Sequence, residues 1–286
     1  MPAIEILDSG MGTEILSNGA KLPPYIWSAH TNIVNPDLVY QIHKKNISHG
    51  ADYITTNTFR ATTRSFIKTG LSKENAREMS YKSFTNAIEM AKKAAAGTST
   101  KILGSIAPLE DCYTPPLYPG DKDSESEFIE LAVWFTNCGI DTILLETMNS
   151  IPEILSCIRV LSKYNVKIWL SLNLMDQDHI LSGEKINLTL ESISEYQISA
   201  LMINCNSIEK TKLSLENIKA LWNGKWGIYP NLGLGEPAPD GIISNFSSDD
   251  DFMNLSRDAA DLGASFLGGC CGTNYKHIHA LSKEFK

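Results

Sequence analysis

Three cysteines offer the first chemistry. Cys205 lies in Ile203-Asn204-Cys205-Asn206, and Cys270 and Cys271 are adjacent in Gly268-Gly269-Cys270-Cys271-Gly272-Thr273. Neighbouring residues of a strand point to opposite faces, so two adjacent thiols converge only where the backbone turns. Gly268, Gly269 and Gly272 permit that turn, because glycine reaches positive φ at little steric cost. Three thiolates suit Zn²⁺, which takes sulfur ligands tetrahedrally; three protein ligands leave the fourth position open, the pattern of a catalytic site. Free cysteine is also a common buried hydrophobe. Spacing alone therefore leaves metal binding and ordinary packing equally open. A redox pair is a third reading, opposed by the strain of a vicinal disulfide and the lack of a C-x-x-C. Cys138 and Cys157 read as packing residues in helices, and Cys112, in a loop, is unassigned. His277 and His279 follow closely enough to be ligands, but on a C-terminal helix they read as solvated.

Elements must bring these thiols together. Short β-rich runs recur at 4–8, 53–57, 102–107, 142–146, 167–173, 200–205, 226–231 and 265–269. Helical segments separate them. Asn35-Pro36-Asp37 places a capping residue before proline at the first helical position. Ser72 opens a run rich in Ala, Glu, Lys and Met that stops at Gly97. Ser150 precedes Ile151-Pro152-Glu153, and Ser248 precedes three aspartates, where the helix dipole favours negative charge. Strands alternating with helices predict a single-domain (β/α)8 TIM barrel spanning 1–286, with chemistry at the C-terminal ends of its strands. An open nucleotide-binding sheet lacks support, since neither G-x-G-x-x-G after the first strand nor a Walker sequence is present. Cys205 then ends the sixth strand, and Cys270 and Cys271 follow the eighth. The segments 108–120 and 232–241 read as active-face loops.

The 286-residue chain carries a net charge of −8. That acidity argues against nucleic acid as a partner. No apolar stretch reaches the ~20 residues needed to span a bilayer, and the N-terminus has no secretory pattern. The expectation is a soluble cytoplasmic protein, in a compartment where free thiols persist. Oligomeric state is left open, a homo-oligomer included.

Several motifs together resemble the zinc-dependent homocysteine S-methyltransferases. They are Asp8-Ser9-Gly10-Met11-Gly12-Thr13, Asn57-Thr58-Phe59, Leu145-Glu146-Thr147-Met148, Asn204-Cys205-Asn206, Tyr229-Pro230-Asn231 and the double-cysteine segment. The resemblance implies a TIM-barrel enzyme in which Cys205, Cys270 and Cys271 hold Zn²⁺ and homocysteine sulfur takes the open position. It implies that Asp8 and Glu146 bind the homocysteine ammonium. Backbone amides from Ser9 through Gly10, Met11, Gly12 and Thr13 would receive the carboxylate. Asn231 would belong to the substrate site. Without the resemblance, strand-end carboxylates would read as helix caps.

Within this family the methyl donor varies. Few residues follow Thr273, which leaves no room here for folate- or cobalamin-binding modules, nor for the C-terminal extension of betaine-using relatives. The segment 144–148 and the loop 25–29 look closer to the branch using a sulfonium, S-methylmethionine or S-adenosylmethionine, with methionine as product. Trp27 is a candidate to contact the donor cation through its indole face, or else simply covers the rim. Two positions depart from the family: Ser9 replaces Gly or Ala, and Arg60 stands where relatives carry Tyr or Gln. A cation there is unfavourable beside a cationic donor unless Arg60 binds the donor's carboxylate or points away. Alternative readings are a betaine donor, a selenol acceptor, a thiol-redox protein, and a zinc- or thiol-binding barrel without catalysis.

Overall fold

Eight apolar runs form eight parallel strands: β1 (Glu5–Ile6), β2 (Tyr53–Thr55), β3 (Lys101–Ile106), β4 (Thr142–Met148), β5 (Lys167–Leu172), β6 (Ile198–Asn204), β7 (Trp226–Tyr229) and β8 (Phe266–Leu267). The computed structural model describes residues 3–233 and 245–286. The strand order is β1-β8-β7-β6-β5-β4-β3-β2. This is the expected (β/α)8 barrel, a single domain. Each expected strand is present, with shorter ends at β1, β2, β7 and β8.

The ladder does not continue across β1 and β2. There the barrel closes through single contacts: Asp52 N–H donates to Ile6 O at 2.7 Å, and Ile6 N–H donates to the Asp52 carboxylate at 2.7 Å. One turn higher, the Asp8 carboxylate accepts the Thr55 N–H at 2.8 Å and the Thr55 hydroxyl at 3.1 Å. A side chain thus substitutes for ladder bonds at the seam.

The helices begin where local chemistry predicts. Asn35, Ser72 and Ser248 each cap a helix with their side chains, and Ser248 forms a capping box with Asp251. Ser150 precedes its helix without a side-chain cap bond. The segment 108–120 is a loop with one short turn at Pro115–Leu117. Of the expected loop 232–241, residues 234–241 lie outside the described residues. Among the described residues no helix is long and apolar enough to cross a membrane.

Two cores result. The larger lies between strands and helices, with Phe84, Phe135 and Ile143 among its fully buried members. The smaller fills the barrel with Leu7, Tyr53, Leu103, Leu144, Trp169, Met202, Tyr229 and Phe266. Trp169 and Phe266 stack 4.3 Å apart at their ring centroids. This apolar plug stops short of the C-terminal mouth. Above it the inward positions turn polar: Thr55, Ser105, Ser171 and Asn204. That change of character along each strand marks where a ligand can sit.

Candidate active site

The three thiols meet at the mouth. The sulfur atoms of Cys205, Cys270 and Cys271 lie within 4.8 Å of one another, and the Cys205 and Cys270 sulfurs are 2.6 Å apart. The turn that converges the adjacent pair is pinned from several sides. Cys270 N–H donates to Pro230 O at 2.9 Å. Cys271 N–H donates to Asn231 Oδ1 at 3.0 Å. Gly272 then adopts φ of 85°, the left-handed region that glycine enters freely.

The first helix, Met11–Ser17, is stapled to this turn. Thr273 Oγ1 donates to Cys270 O and accepts the Gly10 N–H, at 2.7 and 3.2 Å. Thr13 Oγ1 donates to Gly10 O and accepts the Gly272 N–H, both at 3.0 Å. A Cβ on Gly10 would lie 2.4 Å from Cys270 O. Gly10 and Thr13 therefore shape the cysteine turn, while the N–H groups of Met11, Gly12 and Thr13 open the helix's first turn.

Asn204, the last residue of β6, holds the other side. Its Oδ1 accepts the Thr147 N–H at 2.9 Å and the Ser171 hydroxyl at 2.6 Å, and its Nδ2 donates to Thr147 Oγ1 at 3.0 Å. Thr147 and Cys205 have φ of 56° and 54°. Such backbone costs ~1–3 kcal/mol per residue and persists only where surroundings enforce it. Asn204 grips Thr147 directly, and Asn173 Nδ2 holds Cys205 by donating to its carbonyl at 3.2 Å. The strained Thr147 sits where the pairing of β4 with β5 shifts register, between Leu145 and Met148.

Two carboxylates face this cluster. Asp8 is buried, and burial raises its pKa to about 7 against the opposing Thr55 hydrogen bonds, with the Glu146 charge adding to the rise. Glu146 accepts a short hydrogen bond from Ser105. Burial raises Glu146 to about 7 as well, with the Cys271 charge adding to the rise. Such a pair is prepared for a cation, which would favour both ionised forms.

The thiols divide unequally. Cys271 is driven well below the ordinary thiol range because Cys205 and Cys270 hydrogen-bond to it. Cys205 is pushed well above, held as a donor by Cys270 and Cys271. One thiolate is thus supported by two neutral partners, and ionising all three requires a positive ion among them. The donor set and spacing fit a thiophilic metal.

Trp27 is half-buried, with φ of 43°. Its indole Nε1 would lie 2.6 Å from a Cβ on Gly12, so it packs directly over the first helix. Asn57 holds this loop: it accepts the Ser28 hydroxyl at 2.6 Å and donates to Ser28 O and Asn32 Oδ1 at 3.0 and 2.8 Å. Ser9 is buried, and its hydroxyl has no hydrogen-bond partner among the described residues. Arg60 Nη1 donates to Pro108 O at 2.7 Å, and its guanidinium lies 4.9 Å from the Phe59 ring centre.

Some residues differ from expectation. His277 is buried: its Nδ1 accepts the Asn274 N–H at 3.1 Å, and its Nε2 lies 3.0 Å from Asp249. It is a helix-capping residue, neither solvated nor a ligand; His279 is exposed as expected. Cys138 lies just beyond its helix, at the cap of Asp121–Asn137. Cys112 is buried, with Asn149 Nδ2 donating to its carbonyl at 2.8 Å. Burial raises its thiol to about 12, and Cys271 is near enough to add to this. Tyr113 beside it lies near the same cluster: burial first, then the neighbouring thiol cluster, pushes its phenol well up. Sequence reasoning passed over Tyr113, Ser105, Thr55, Ser171 and Asn204. The signal for the last four was a polar residue at an inward position near a strand's C-terminal end.

Comparison with known proteins places these features. Residues 5–285 match the family profile described as homocysteine S-methyltransferase. Homocysteine S-methyltransferase 1 of Arabidopsis thaliana is 27% identical, over 98% of this chain and 93% of its own length. Homocysteine S-methyltransferase 3 of Zea mays is 30% identical, over 97% and 89% respectively. The crystal structure of the homocysteine methyltransferase MmuM from Escherichia coli, in its metallated form, superposes with a TM-score of 0.84. It is 25% identical and covers 99% of this chain and 96% of that one. With its whole length from β1 to the last helix matched, the chain belongs to the homocysteine S-methyltransferase family of methyl-transferring enzymes.

Proposed function

We propose that this enzyme transfers a methyl group from a sulfonium donor, S-methylmethionine or S-adenosylmethionine, to the sulfur of homocysteine, giving methionine. The observation that carries this is the juxtaposition of a three-thiol cluster with two carboxylates, Asp8 buried and Glu146 partly buried, at one barrel mouth. One end suits a sulfur on a metal and the other a primary ammonium.

Cys205, Cys270 and Cys271 would hold Zn²⁺. The ion, when bound, supplies an open position for a thiol and lowers that thiol's pKa far below its free value near ~8.5. The protein does the positioning. Asn231 and Asn204 fix the ligand-bearing turns. Asp8 and Glu146 receive the ammonium, and the amides of Met11, Gly12 and Thr13 receive the carboxylate. The thiolate attacks the methyl carbon in line. The carbon–sulfur bond to the donor breaks with its electron pair going to the donor sulfur, which leaves as a neutral sulfide. No side chain has to move a proton in that step, so the main contribution is orientation of two substrates. Trp27 presents an aromatic face to the donor cation, an attraction of ~0.5–2 kcal/mol. The thiol cluster supports a reducing compartment such as the cytoplasm as the setting of this reaction.

The test uses zinc-loaded, reduced protein with homocysteine and methyl-labelled S-methylmethionine, S-adenosylmethionine or betaine. Labelled methionine from a sulfonium donor is expected. Transfer from betaine alone would reassign the donor, and no transfer from any of the three would refute the reading. Zinc measured on the same sample should be one per chain and lost in Cys205→Ala, Cys270→Ala and Cys271→Ala. Zinc retained without turnover would mark a binding protein instead.

A further inference from the structure

Tyr229 ends β7 with its side chain inside the barrel. It is paired in register with Asn204 and packs in the cluster that contains Cys270, with Cys205 and Cys271 against it. It is 4% exposed, yet its hydroxyl has no hydrogen-bond partner among the described residues. Nearby Ser171 gives its own proton to Asn204. A buried hydroxyl left without a partner is unusual and calls for an explanation. A phenol hydroxyl can both donate and accept a hydrogen bond.

The two carboxylates are already partly committed. Both Asp8 oxygens accept from Thr55, and Glu146 accepts from Ser105. A primary ammonium brings three N–H donors. We infer that the Tyr229 hydroxyl is the third acceptor for the ammonium of the acceptor amino acid. This rests on the homocysteine reading above and assigns a residue that selects α-amino thiols over thiols lacking the amine.

The experiment compares zinc-loaded wild type and Tyr229→Phe on homocysteine and on 4-mercaptobutyrate, which lacks the amino group. The variant should lose about tenfold in kcat/KM on homocysteine, equivalent to ~1.4 kcal/mol. It should stay within about twofold of wild type on 4-mercaptobutyrate. Its Tm should hold or rise, since an unpartnered hydroxyl has been removed. Equal losses on both thiols, or no loss on either, overturn the inference. Wild type inactive with every donor would refute the parent reading instead. Calorimetric affinities for the two thiols then decide on Tyr229 separately, with the same preference expected to shrink about tenfold.

Discussion

Asn204→Leu tests whether the thiol cluster is held by the protein before any metal arrives. Leucine matches asparagine roughly in size, so the change removes polar contacts without opening a large cavity. Three hydrogen bonds disappear, to Thr147 N–H, Thr147 Oγ1 and Ser171 Oγ. Each buried group left without a partner costs ~1–3 kcal/mol. The two hydroxyls can rotate toward other acceptors, but the backbone N–H cannot, so the net loss is about 2–5 kcal/mol. For a domain of this size each kcal/mol moves Tm by ~2–4 °C, which gives a fall of about 4–20 °C. Thr147 would also lose what holds it at positive φ, and loosening of the end of β6 at Asn204 would let the adjoining Cys205 move its sulfur out of the cluster. Thermal melts followed by circular dichroism, with zinc content after dialysis against a weak chelator, measure both effects. A Tm within about 2 °C of wild type would refute the energetic argument. A lowered Tm with full zinc retention would refute the claim that Asn204 positions the ligand.

Gly10→Ala should abolish zinc retention and turnover together, because its Cβ would fall 2.4 Å from Cys270 O; a variant with normal zinc content contradicts this. Asp8 and Glu146 titrate near 7 in the ligand-free protein, so kcat/KM for homocysteine should rise through about pH 7 as they ionise, and Glu146→Gln should make that limb shallower. In stability the sign reverses. Both pKa values are raised above their unfolded values, so the contribution to the metal-free fold is complete below pH ~4 and is lost as pH rises through 7. Urea titrations of metal-free wild type and Glu146→Gln across that window check it. His43 is buried, neither ring nitrogen has a hydrogen-bond partner among the described residues, and burial lowers its pKa to about 3. Its unfolded value is ~6.5, so its contribution is complete above that pH and is lost as pH falls toward 3. His43→Leu should lose less stability than wild type between pH 7 and 4, and equal losses would show that His43 is not responsible.

The strands were legible because apolar runs bounded by polar residues have few other ways to bury themselves. The cysteine turn was legible because three glycines beside two cysteines imply an unusual backbone. What escaped notice depends on distance. Asn204 stood in plain view within a motif, but its function requires the register shift of β4, which brings Thr147 opposite it. His277 looked solvated in its own helix, because the partner that covers it, Asp249, lies 28 positions earlier. Cys112 and Tyr113 belong to a loop whose approach to Cys271 no local pattern encodes. Gly10 and Thr13 were legible as site residues, but their bonds to Thr273 and Gly272 connect opposite ends of the chain.

The seam between β1 and β2 constrains how this enzyme can diverge. Asp8 is at once a rivet of the barrel wall, through its bonds to Thr55, and one of the two acids facing the thiol cluster. A lineage that exchanges it to accept a different substrate must reseal the wall at the same moment. Replacements that keep an oxygen for Thr55 N–H, such as asparagine, lie one step away, whereas alanine asks for a compensating change elsewhere. On the role proposed for Asp8, acceptor choice is therefore mechanically coupled to closure of the barrel.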